Sequence, residues 1–205
     1  MRCSAVALFA ALTFFASPGP AAQAAEPMFP PGSRVGLVPP QGFDMGKAFA
    51  GFEDRQRNAL IVISEYPAVA YPDLESHVAA EQMQKQGLVV EGREPMTLAP
   101  GPGFLVVGSQ QAGGTAFRRW VLVAQTPQFT AIVSVQVPID EKEAYPDASV
   151  RASLATFAVR AKAPAEEQLG ALPFTLRDLA GFRVARVMAG TATLMCRSAG
   201  AGTCR

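Results

Sequence analysis

The sequence is poor in the residues that most often carry chemistry. It has one histidine, His77, and three cysteines in 205 residues. A histidine-rich metal centre and a dense disulfide scaffold are excluded from the outset. Charge is scarce too. Only 17% of residues are charged, below the usual quarter, and the net charge is +1. No long-range field draws such a chain to nucleic acid or anionic lipid, so neither is expected as a partner. Catalytic signatures are missing: no G-x-S-x-G elbow, no S-x-x-K and no Walker loop. Gly101-Pro102-Gly103 lacks the third glycine of a dinucleotide fingerprint and runs into a strand. His77 is the only imidazole base. A triad needs a nucleophile and an orienting acid beside it, and here it reads as an exposed helical residue. No cofactor and no metal are implied.

Hydrophobic residues are abundant, at 49%, which rules out a disordered polyelectrolyte. The first apolar run has a recognisable design. Arg2 is followed by an apolar stretch from Ala5 to Ala16, then Ser17-Pro18-Gly19-Pro20 and Ala22-Gln23-Ala24. A charged start, a short apolar middle and a small-x-small site make a secretory signal, with cleavage expected after Ala24. The run is too short for a bilayer, which needs about 20 apolar residues. No later stretch is apolar enough to span, so no stable membrane span is expected after cleavage. Cleavage removes Arg2 and Cys3, leaving basic and acidic residues equal at 17. Arginine outnumbers lysine and Asn58 is the sole asparagine. That bias, with plentiful Ala, Gly and Pro, fits a GC-rich bacterial genome and a periplasmic or secreted protein.

Residues 25–33 are proline-rich and read as an extended leader. Short strands are expected over 34–38, 48–53 and 59–64, with Gly51 as a bulge or close approach. The run 59–64 is apolar on both faces, which predicts a strand covered on both sides. Helices are expected over 72–86 and 146–159. Each opens with Ala-Tyr-Pro-Asp, where proline pre-sets φ, aspartate suits the helix dipole and tyrosine staples the entry. Between them lie strands over 88–96, 104–110, 115–125 and 129–137. Gln111-Ala112-Gly113-Gly114 marks a hairpin, and Phe129, Ala131, Val133, Val135 and Val137 form one oily face. The expected fold is α+β: an antiparallel sheet flanked by two main helices, over residues 34–160. Residues 161–195 read as a partial second β unit, truncated or frameshifted, or as an appendage. Residues 196–205 read as an irregular tail.

Three constellations remain. Glu53 and Asp54 are strand neighbours, so they point to opposite faces and cannot form an acid/base dyad. Arg118 and Trp120 share a strand face and could anchor an interface, with the guanidinium over the indole. The alternative places Trp120 under a helix with the Arg118 stem running past it. Cys196 and Cys204 lie in a flexible, glycine-rich stretch and could pair as a disulfide in an oxidising compartment.

The turn Val38-Pro39-Pro40-Gln41-Gly42-Phe43, the strand 60–64, and the meander 104–137 followed by a helix resemble the PsbP/Mog-like superfamily over about residues 34–160. That resemblance implies a central antiparallel sheet flanked by helices and a binding or accessory role without chemistry of its own. No binding residues carry over with it. The expected function is an exported, non-enzymatic binding or accessory protein with an unidentified protein partner. The alternatives are a periplasmic hydrolase with an unrecognised site and a carrier of a small hydrophobic ligand.

Overall fold

Strict alternation in residues 129–138 sets the architecture. Phe129, Ala131, Val133, Val135 and Val137 are buried, and the residues between them face the other side of a strand. The computed structural model describes residues 25–77, 84, 87–170, 178, 180–188 and 192–197. In chain order the strands are β1 (Val35–Gly36), β2 (Asp44–Met45), β3 (Gly51–Asp54) and β4 (Ala59–Pro67). Helix α1 (Ala70–His77) follows, then β5 (Leu88–Leu98), β6 (Gly101–Ala112), β7 (Thr115–Gln125) and β8 (Phe129–Pro138). A 3-10 turn (Ile139–Glu141) leads to α2 (Asp147–Ala155), β9 (Ala158–Val159), α3 (Ala165–Gly170), β10 (Phe182–Met188) and β11 (Ala192–Arg197).

Seven strands form one antiparallel sheet in the order β2-β3-β4-β8-β7-β6-β5. Hairpins join β5 through β8 in sequence. Gly113 and Gly114, at φ 57° and 83°, supply the left-handed turn between β6 and β7 that the sequence predicts. β4 closes against β8, with Leu60 opposite Gln136 and Pro67 opposite Phe129.

One face of the sheet carries the main core. Phe52, Ile61, Leu105, Trp120, Leu122 and Val133 pack there beneath Val150 and Leu154 of α2 and Val35 of β1. On the opposite face Tyr71 and Leu74 of α1 pack on Phe104, Val106 and Val123. This α1 cover does not reach the whole face. Leu60 and Val62 of β4, opposite Gln136 and Ser134 of β8, are only partly buried, and Val62 is 36% exposed. The sequence predicts that residues 59–64 are covered on both sides; Ala59, Ile61 and Ile63 are buried and Val62 is open. An apolar run records hydrophobicity, not which of its residues the fold covers.

The second predicted helix is shorter than expected. Pro146 keeps an extended ψ of 148°, so the helix begins at Asp147. At its other end the Thr156 hydroxyl donates to the Ser153 carbonyl, and its oxygen accepts the Val38 N–H at 2.7 Å. The chain then turns, and Ala158 and Val159 pair with Gly36 and Val35. The predicted 72–86 helix is present from Ala70 to His77, and its remainder lies largely outside the described residues.

The proline-rich leader is tied down. The Gly32 N–H donates to Glu167 at 3.4 Å, and Arg160 joins Glu167 to the Ser33 carbonyl. Arg34 holds Glu65 at 2.7 Å. β10 and β11 form a separate antiparallel hairpin. The predicted signal segment, residues 1–24, lies outside the described residues.

Candidate functional site

The turn between β3 and β4 is built on Asp54, which is 4% exposed. Its Oδ1 accepts the N–H groups of Gln56 and Arg57 at 2.9 and 3.2 Å. Its Oδ2 accepts Arg57 Nη1 at 3.0 Å and the Tyr145 hydroxyl at 2.5 Å. Aspartate favours such a turn because its short side chain reaches its own backbone. Asn58 closes the turn at φ 52°, a conformation asparagine tolerates better than most residues. Burial works to raise the Asp54 pKa, but the bonds from Tyr145, Arg57 and the backbone outweigh it and hold it below the usual range. Tyr145 moves the other way. Burial and the bond to Asp54 push its hydroxyl up to about 12. Glu53, on the other side of the strand, is bonded by Arg55 at 2.7 Å, and that bond lowers its pKa. The two carboxylates therefore diverge, as strand alternation requires.

This turn walls one side of an open cleft of about 630 Å³. Leu60, Phe117, Gln136 and Pro138 form its floor and far wall, with Glu141 of the 3-10 turn beside Arg57 at 3.4 Å. The volume falls within the range of small-molecule sites. Its lining mixes charge pairs with apolar side chains. Neither Glu53 nor Asp54 is poised to exchange a proton near neutral pH, since each is ionised and arginine-bonded.

The structure brings Arg118 and Trp120 together, with the guanidinium carbon 5.6 Å from the indole centroid. Trp120 itself is 1% exposed and lies in the core. Its Nε1–H donates to Asp147 Oδ1 at 2.6 Å. Arg118 pairs with Glu91 and lies 4.0 Å from Asp147, while Arg151 pairs with Glu94 and Asp147. Glu91, Glu94, Arg118 and Arg151 line a polar hollow of about 290 Å³. A partner docking there meets guanidinium and carboxylate edges; the indole is spent on the core.

Arg119 escapes a reading focused on Arg118. It projects from β7 on the opposite face, the one α1 covers in part. Nη1 donates to Gln136 Oε1 at 2.5 Å and Nη2 to Ser134 Oγ at 2.9 Å. Its buried Nε has no hydrogen-bond partner, and burial lowers the pKa of the group. The signal was an arginine in the middle of a strand whose next two same-face residues, Val121 and Val123, are apolar.

Cys196 sits in β11 opposite Arg183, while Cys204 lies outside the described residues, as does any pairing between them. His77 is the last residue of α1, and its side chain also lies outside them. Among the described residues no cluster of three or more His, Cys, Asp or Glu could hold a metal ion.

No family model matches the chain, and no curated protein does. Solved structures do. The chain is similar to cyanobacterial PsbP from Synechocystis, at 12% identity and a TM-score of 0.45, covering 70% of this chain and 98% of that one. It is similar to LpqN of Mycobacterium tuberculosis, described as involved in cell envelope biogenesis, at 16% identity and 0.44, covering 63% and 85%. A protein of unknown function from Pseudomonas aeruginosa matches at 16% identity and 0.43, covering 70% and 89%. A PsbP structure is among these likenesses.

Proposed function

We propose that the chain is an exported, non-enzymatic binding or accessory protein that acts by contact with a protein partner through the cleft beside the β3–β4 turn. The observation that carries this reading is the state of the cleft's acids. Two of them, Asp54 and Glu53, are each bonded by an arginine and held below their ordinary pKa, which supports a role in contact through shape and hydrogen bonds over one in proton transfer. Its walls stand on a turn fixed by four hydrogen bonds to Asp54. Arg2, the apolar run and Ala22-Gln23-Ala24 support export. Among the described residues no helix is long and apolar enough to cross a membrane.

Site-specific photo-crosslinking in the producing cell tests the reading. A photoreactive residue in place of Gln56, on the cleft rim, is expected to give a discrete protein adduct. The same residue in place of Gln128, exposed in the β7–β8 turn at the sheet's other end, is expected to give none. Equal labelling from both positions, or from neither, contradicts the reading. So does a hydrolytic activity that disappears in His77→Ala.

A further inference from the structure

We propose that the open part of the α1-bearing sheet face binds a small organic acid, a single carboxylate joined to an apolar body, with Arg119 as its anchor. This rests on the cleft being a binding surface, and it names a ligand class for the floor of that cleft.

Arg119 is charged, partly withdrawn from water and held only by neutral groups. Arg34, Arg57, Arg118, Arg151 and Arg160 each hold a carboxylate. Among the described residues Arg119 holds none; its partners are the Gln136 amide oxygen and the Ser134 hydroxyl. A guanidinium has five N–H donors. Two are used, and Nε, buried and without an acceptor, is among the rest. A half-buried cation without a counter-ion is costly, and an oxyanion presented to the remaining hydrogens of Nη1 and Nη2 lowers that cost, while the buried Nε stays out of its reach. The fork matches a carboxylate in a way that an ammonium does not.

The surroundings select what the carboxylate is attached to. Ser134 lies between Val62 and Val121, and Gln136 between Leu60 and Arg119. Phe117 stands two residues before Arg119, facing the same way. These apolar side chains are incompletely buried, so they can still bury surface against a ligand. Leu60, Phe117 and Gln136, but not Arg119, line the cleft of about 630 Å³; Gln136, which accepts from Arg119 Nη1, joins the guanidinium to it, so an apolar body in the cleft lies next to the anchor. The rim carries Asp140 and Glu141 as well. They disfavour a multiply charged phosphate ester and admit one carboxylate.

Calorimetric titration of the full chain with sodium octanoate, octanamide and inorganic phosphate tests the proposal. Octanoate is expected to bind saturably, octanamide at least about tenfold more weakly, and phosphate not measurably. Arg119→Met is expected to weaken octanoate by at least about tenfold. Val62→Glu keeps Arg119 in place and sets a carboxylate at an exposed position opposite Ser134. It is expected to cause a similar loss by supplying the missing counter-ion, so the proposal stays testable where Arg119→Met fails to fold. Absence of octanoate binding, equal binding of octanamide, or unchanged affinity in Val62→Glu overturns the proposal. If octanoate fails while the Gln56 adduct persists, only the ligand assignment falls.

Discussion

Tyr145 donates its hydroxyl to Asp54 across 2.5 Å, joining the β3–β4 turn to the entry of α2 over a separation of 91 residues. The bond connects the wall of the cleft to the helix that covers the core. A hydrogen bond to a charged group contributes roughly 1.5–3 kcal/mol. Tyr145→Phe is therefore expected to lower unfolding stability by about that amount, with the m-value unchanged, in urea titrations.

The same pair gives a pH signature with two limbs. The folded pKa of Asp54 is depressed, so its contribution is complete above the unfolded value near ~3.9 and is lost as pH falls through the lower folded value. The folded pKa of Tyr145 is raised to about 12, so its contribution is complete below the unfolded value near ~10 and is lost between there and about 12. Thermal melts across the alkaline range are expected to show Tm falling above pH ~10, and falling less in Tyr145→Phe. Tyr71, also raised by burial, keeps part of the slope in that variant.

Trp120 is the only tryptophan, so its fluorescence reports one site. With its ring in the core and its N–H on Asp147, it is expected to resist acrylamide quenching in the native state. Asp147→Ala leaves that N–H without an acceptor and also removes a partner of Arg151. A loss of roughly 1–3 kcal/mol and a shifted emission maximum are expected. An unchanged spectrum and stability would show that the indole bond does not hold the helix.

Gly51 answers the expectation of a close approach. A Cβ there would lie 1.9 Å from the Ile61 carbonyl oxygen on the paired strand. Gly51→Ala is expected to cost about 3 kcal/mol or more, because backbone on both sides must move. At Gly92, in the irregular stretch of β5, an added Cβ meets nothing within 4 Å, so Gly92→Ala is expected to be tolerated. Chemical denaturation of the two variants separates the cases.

What the sequence made legible was periodic or local. The oily face of β8, the glycine pair at 113 and 114 and the start of α2 near the second Ala-Tyr-Pro-Asp follow from alternation and turn chemistry. Partnerships between distant segments were not legible. Nothing in Asp54-Arg55-Gln56-Arg57 announces Tyr145, and the apolar run 59–64 does not say that Val62 is left open while Ile61 and Ile63 are buried. The end of α2 at Ala155 depends on Thr156 meeting Val38, a contact that no helical period encodes. Arg119 is not legible for the same reason: its environment comes from β8, and only register places Ser134 and Gln136 beside it.

The central claim, function by contact through the cleft, is tested most directly with the partner captured at Gln56. The measurement is its equilibrium affinity for the wild-type chain, for Phe117→Arg on the cleft wall and for Gln128→Arg at the far end. The account predicts at least about tenfold weaker binding for Phe117→Arg and no change for Gln128→Arg. Equal affinity for all three chains would contradict it.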